Sequence, residues 1–182
     1  MNRDGLNKIF WGFLFIMLDF KIQGFDILPD IIGYILFALG FSALAAGSEY
    51  FKKAGKFNIL LIIFSIFSIY EKPAQSTGVH IDTLGVFGIL VGIVVIVLNL
   101  LVMYNLFMGV GELASRQGRH DLSEESEKKW KQYLALQIAT MFSFLLIFIP
   151  FLAVIFVLAL VIISLVLMVS IILFIKRCSE SL

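Results

Sequence analysis

Apolar residues run along this chain in long blocks divided by short charged stretches. A helix crossing a ~30 Å hydrocarbon core needs about 20 mostly apolar residues, and the blocks can be held against that length. Ile9 to Phe20 is a block of 12 closed by Asp19 and Lys21, Ile31 to Ala46 holds 16, Phe57 to Tyr70 holds 14 and Leu84 to Met108 holds 25. The last block, Tyr133 to Ile175, runs 43 residues without a charge. As one straight helix it would be about 65 Å long, so it must turn back, and Pro150 is the breaker near its middle. The pattern predicts an all-α, polytopic integral membrane bundle: one domain over 1–182 with six transmembrane helices at about 9–28, 29–47, 55–71, 84–108, 131–149 and 151–175. The first segment reaches spanning length only by running to Leu28, which draws Asp19, Lys21 and Asp26 toward the membrane. A re-entrant hairpin that dips in and returns is the alternative for the first two segments.

Composition agrees with that reading. The chain is 60% hydrophobic and 15% charged, with a mean hydropathy of +1.02. Soluble domains hold about 45–50% apolar and about 25% charged residues, so a soluble class is excluded. A net charge of +1 gives no basic face for nucleic acid. The single cysteine, Cys178, can form neither an internal disulfide nor a CxxC metal site. Phe10 to Asp19 is not followed by small residues in an A-x-A pattern, so a cleaved signal peptide is not expected.

The distribution of charge sets the orientation. With six crossings and a cytosolic N-terminus, 12 of the 14 basic residues fall inside, and only Lys21 and Lys72 fall outside. That partition follows the positive-inside rule and places both termini in the cytosol. Trp11, Tyr50, Trp130 and Tyr133 fall near the inner boundary and Tyr70 near the outer one, where amphipathic rings settle.

Between helices in lipid, close packing rests on small residues and hydrogen bonds. Gly85, Gly88 and Gly92 share one face of the fourth segment, and Ala38, Ser42 and Ala46 make a similar stripe on the second. Packing within the chain is the simplest use of these stripes, and a homodimer through Gly85, Gly88 and Gly92 is the alternative. Asn99, Asn105, Gln137, Thr140, Ser164 and Ser170 are expected to face the bundle as structural hydrogen-bonding groups. The polar connection 109–132 is expected to be a cytosolic helical hairpin, a solvated connector or a docking surface for another protein. Gly118 stops its first helix and Asp121-x-x-Glu124 starts the second. Glu112/Arg116, Glu124/Lys128, Glu125/Lys129 and Glu127/Lys131 have the spacing of ion pairs along a helix.

The stretch from Leu18 to Tyr34 carries the main chemical signal. Asp19 would lie about 15 Å into the first helix, near the midplane, where an ionised carboxylate costs at least ~2.5–3.5 kcal/mol. It should therefore face the bundle, pair or bind a proton. Asp26 and Asp30 share a helical face if the second helix starts at Asp26, so Asp19, Asp26 and Asp30 form a candidate ligand or proton site. The structural reading is that Asp26 or Asp30 caps the second helix, Pro29 fits its first turn and Gly24 makes the bend.

Phe10-Trp11-Gly12, Leu18-Asp19-Phe20, Gly24-Phe25-Asp26-Ile27-Leu28-Pro29-Asp30-Ile31-Ile32-Gly33-Tyr34-Ile35-Leu36 and Phe51-Lys52-Lys53-Ala54 resemble a group of small, uncharacterised multi-spanning membrane proteins of Gram-positive, Bacillus-like bacteria. The resemblance covers about Phe10 to Lys56, implies a bacterial cytoplasmic membrane, and brings no activity with it.

No Gly-rich phosphate loop, HExxH, GxSxG or CxxC is present, and His80 and His120 fall on opposite sides. Asp19 with Asp26 or Asp30 is too loosely spaced to specify an intramembrane aspartyl hydrolase. No catalytic residue, cofactor or metal is therefore expected. The expected function is non-catalytic, exercised through protein contacts in the bilayer. The alternative is a small transport or substrate-binding subunit with a cation- or proton-sensitive acidic site. Six helices in 182 residues also suit the substrate-capturing subunits of energy-coupling vitamin transporters. Their alanine-rich docking pattern is missing from Ile9-Phe10-Trp11-Gly12-Phe13-Leu14-Phe15.

Overall fold

A computed structural model describes residues 2–17, 21–22, 25–26, 30–68, 83–143 and 150–182. It contains α1 (Asn2–Met17), β1 (Lys21–Ile22), β2 (Phe25–Asp26), α2 (Asp30–Leu44), α3 (Glu49–Ser68), α4 (Thr83–Arg116), α5 (His120–Ser143) and α6 (Pro150–Ser181). Each helix packs on the next, and α6 closes the ring on α1.

The first hairpin is held by glycine. Gly5 and Gly12 of α1 and Gly33 and Gly40 of α2 are all buried, each pair seven residues apart. A side chain at Gly12 would begin 2.5 Å from the Phe37 ring and 2.9 Å from the Gly33 carbonyl oxygen, and Gly5 faces Leu44 and the Gly40 carbonyl in the same way. Reciprocally, Gly33 receives Ile16 and Gly40 receives Ile9. Two antiparallel backbones thus approach at paired glycines, and the seven-residue repeat keeps both seams in register. The tight small-residue face of α2 is Gly33 and Gly40, whereas the expected stripe fails because Ser42 and Ala46 are exposed.

This packing explains why α1 begins at Asn2 rather than near Ile9. Leu6, Ile9 and Phe13 are fully or almost fully buried, while Arg3 and Asp4 are exposed on the other face of the same turns. Reading charges as helix boundaries misses an amphipathic start. The first helix also ends earlier than expected, at Met17 rather than about 28, and a two-residue antiparallel ladder separates it from α2. With 16 and 15 residues, α1 and α2 are about 24 Å and 22 Å long.

From α3 onward the alternation continues. Phe51 sits against Gly109 and makes α3 antiparallel to α4. Helix α4 runs unbroken to Arg116 and stops at Gly118, whose φ of 72° only glycine adopts without strain. There the Arg119 N–H donates to the Ala114 carbonyl at 2.9 Å and the Gly118 N–H to the Ser115 carbonyl at 3.0 Å, which closes the helix end. Pro150 opens α6, where its missing N–H costs nothing. Arg177 to Glu125 and Lys129 to Ser170 then set α6 antiparallel to α5.

One end of the bundle therefore gathers the start of α1, the α2–α3 turn, the α4–α5 turn and the chain's C-terminus. The core lies toward that end, with Phe41, Phe51, Phe107 and Phe174 almost fully buried. Farther along, α6 keeps only a narrow buried seam at Leu160 and Leu167, and Phe151, Val154, Leu158, Ile162 and Val166 are exposed around it. Among the described residues, two helical stretches are long and apolar enough to cross a membrane, Leu90–Arg116 and Val154–Ser181, and Ile31–Leu44 is a shorter apolar helix.

Candidate functional site

Asp19 lies outside the described residues. Asp26 stands in β2, its backbone opposite Lys21, and Asp30 is the first residue of α2. The expectation that Asp26 and Asp30 share a helical face is thus corrected, because the helix starts four residues later than that face requires. What remains is their common position in the connection between α1 and α2, with a basic residue entering the register opposite Asp26.

The described ionic groups concentrate at the other end of the bundle. Ser48 donates its hydroxyl to Glu112, whose other carboxylate oxygen receives Arg116 at 2.5 Å. Arg116 also donates to the Gly47 carbonyl at 2.8 Å, so the α2–α3 turn is tied to the end of α4. Arg119 grips Asp121 through two bonds of 3.1 and 3.0 Å. That guanidinium holds the Asp121 carboxyl below its ordinary range. Asp121 therefore serves the first turn of α5 while holding Arg119, and the helix begins one residue before it, at His120. Glu125 receives both Arg177 at 2.6 Å and Lys129 at 3.9 Å, and Lys129 donates onward to Ser170 at 2.6 Å. Gln117 reaches the carbonyl of Leu182 at 3.2 Å.

Of the expected pairs along α5, Glu125/Lys129 and Glu127/Lys131 form, whereas Glu124 and Lys128 stay apart. Those two line a shallow concavity of about 480 Å³ with Asp121, Glu125, Lys129 and Gln132. Along the helix its wall runs from three carboxylates, Asp121, Glu124 and Glu125, to two ammonium groups, Lys128 and Lys129, so the two signs are segregated along the concavity. Exposed ion pairs of this kind contribute about 0–1 kcal/mol each, so the network specifies how the ends meet more than it stabilises them.

The cap holds no activated nucleophile among the described residues. Cys178 is fully buried, and desolvation first, then Glu125, pushes its thiol up to about 12. Among the described residues, no group of His, Cys, Asp and Glu is placed to hold a metal ion. His120 is exposed, and His80 lies outside the described residues.

Within the bundle the expected polar groups do less than predicted. Asn99 and Asn105 donate to carbonyls of their own helix at 3.1 and 2.7 Å. Thr140 is exposed and bonds back to Leu136. Of that set, among the described residues, Ser170 alone takes part in a bond to another helix. Gly92 faces open space and packs on no other helix among the described residues; Gly85 and Gly88 lie near the start of the same helix.

The residue that sequence reasoning missed is Asn58. It is fully buried on α3, and its amide N–H donates to the Tyr34 carbonyl of α2 at 2.7 Å. Its Oδ1 has no hydrogen-bond partner among the described residues. The available signal is its place in the stripe Phe51, Ala54, Asn58, Leu61, which repeats every three to four residues and is buried throughout. The chain matches no family model, no curated protein and no solved structure.

Proposed function

We propose that this chain is a multi-pass protein of a bacterial cytoplasmic membrane, non-catalytic, with six membrane segments and both termini in the cytosol. It acts through protein contacts made at its cytosolic cap. The observation that carries the reading is the sorting of the bundle. The charged residues of α1, α3, α4, α5 and α6 gather at one end, where Glu112 and Arg116 of α4 tie to the α2–α3 turn and Glu125 of α5 to Arg177 of α6, while the walls of α4 and α6 beyond that end expose leucine, isoleucine and valine. A bilayer satisfies both requirements at once.

Orientation is tested with Ser76→Cys and His120→Cys. The native Cys178 stays silent because it is buried and its thiol is protonated at neutral pH. An impermeant thiol reagent applied to intact cells should label Ser76→Cys and spare His120→Cys. Reversed labelling overturns the orientation, and labelling of both overturns the number of crossings.

Purification in mild detergent tests the function. A stable non-ATPase partner, lost when Glu124→Lys and Lys128→Glu reverse the charges of the α5 concavity, supports a role in protein association. A transport subunit is the second reading, favoured by the amide oxygen of Asn58 inside the bundle, which has no partner among the described residues. Co-purification of an ATPase module would establish it instead.

A further inference from the structure

Helix α3 changes character abruptly along its outward face. Lys52, Lys53 and Lys56 are exposed, and from the next turn on the exposed residues are Ile59, Leu60 and Ile63. Lys52 pairs with Glu49, whereas among the described residues neither Lys53 nor Lys56 makes an ion pair within 4 Å, and the Lys53 ammonium lies 6.0 Å from the centroid of the Tyr50 ring. Glu49, the carboxylate of this turn, is held below its ordinary range by Lys52 first, with Lys53 and Lys56 adding to the effect. One ionised carboxylate therefore faces three ammonium groups, and the turn keeps a positive surplus.

A row of rings crosses the neighbouring helices at the same level. Tyr50 meets Tyr104 edge-on at 6.4 Å, and Tyr104 meets Trp130 at 5.2 Å. The register fixed by Phe51 against Gly109 sets Lys56 level with Tyr104 and Ile63 level with Val97. Together, α3 with its ammonium groups and α4 with the Tyr104 ring thus present a polar rim above an exposed apolar wall, the layering of one phospholipid monolayer.

We propose that Lys53, Lys56, Tyr104 and Trp130 form a binding site for the phosphodiester headgroup of an anionic phospholipid in the inner leaflet, its acyl chains lying on Ile59, Ile63 and Val97. The site rests on the membrane reading above. Charge complementarity selects the occupant: two ammonium groups without carboxylate partners among the described residues match a phosphodiester that carries net charge, and the wall beneath requires attached acyl chains. A zwitterionic headgroup brings its own cation and gains nothing from them. Free phosphate leaves the wall unused.

The test uses the full chain in neutral detergent with Trp11→Phe, which leaves Trp130 as the sole indole. Short-chain phosphatidylglycerol should change Trp130 emission saturably, and phosphatidylcholine and inorganic phosphate should not. Lys53→Gln with Lys56→Gln should raise the apparent Kd about 25-fold, about fivefold for each lysine. Lys53→Arg with Lys56→Arg should retain binding, and Lys131→Gln, whose partner is Glu127, should leave the curve in place. An unchanged curve in the glutamine double variant, an equal response to phosphatidylcholine, or saturation by inorganic phosphate alone overturns the site. Alkaline carbonate extraction of membranes separates the two failures. Release of the protein refutes the membrane reading, whereas retention alongside any of those binding results refutes the lipid site alone.

Discussion

Replacing Gly12 or Gly33 with alanine should destabilise the bundle by about 1–3 kcal/mol or more, the range for forcing extra volume into a packed interior. The new methyl at Gly12 would sit 2.5 Å from Phe37, and at Gly33 it would sit 2.4 Å from Ile16. Either side chain can swing aside, but the opposing carbonyl oxygen, 2.9 Å away in both cases, belongs to a backbone and moves only if α1 and α2 separate. Phe37→Ala should therefore fail to rescue Gly12→Ala. Glycines elsewhere predict the opposite sign. At Gly55 a methyl would meet Phe41 Cβ at an ordinary 3.5 Å, and at Gly92 it would meet nothing within 4 Å. There, alanine removes the conformational freedom that glycine brings to a helix and should stabilise by roughly 0.5–1 kcal/mol. Unfolding in mixed micelles with increasing dodecyl sulfate, followed by helicity, measures all four variants. Equal effects at Gly12 and Gly55 would sink the paired-glycine account.

That contrast shows which parts of the fold could be read from the sequence. The order of six helices is legible because it is written locally, in the blocks between charges, in Gly118 as a helix stop and in Pro150 as a helix start. The α4–α5 hairpin is legible for the same reason, and two of its three expected pairs along α5 form at the predicted spacing. The glycine seam is not, because Gly5 and Gly12 acquire meaning only when Gly40 and Gly33 arrive from another helix. Gly85, Gly88 and Gly92 have the tighter spacing and look the stronger signal, yet a methyl at Gly92 would meet nothing within 4 Å among the described residues. Spacing shows that a close approach is possible without naming the partner that makes it. At the acidic hairpin the sequence shows three carboxylates within 12 residues but not the break in the helix between them. A shared helical face requires Asp26 to be helical, and a strand residue has no such face.

Asn58 is the second place where a large effect is expected, and its two variants should separate widely. Asn58→Asp removes the N–H that the Tyr34 carbonyl accepts and sets a carboxylate oxygen against it. Leaving one charge buried and unpaired costs about 3–5 kcal/mol, so this variant should be largely unfolded in detergent or lost from the membrane. Asn58→Leu keeps the branching of the side chain and removes every polar atom. It gives up one hydrogen bond, which between membrane helices averages about 0.6 kcal/mol, and it removes an Oδ1 atom whose burial without a partner costs about 1–3 kcal/mol. Leucine should therefore leave stability unchanged or raise it by as much as about 2 kcal/mol. The same micelle titration measures both variants, and a leucine variant as damaged as the aspartate one would overturn the argument by making the hydrogen bond itself essential. If leucine is tolerated, the asparagine is not there for stability, and any loss of partner binding or transport in that folded variant assigns the buried amide to function.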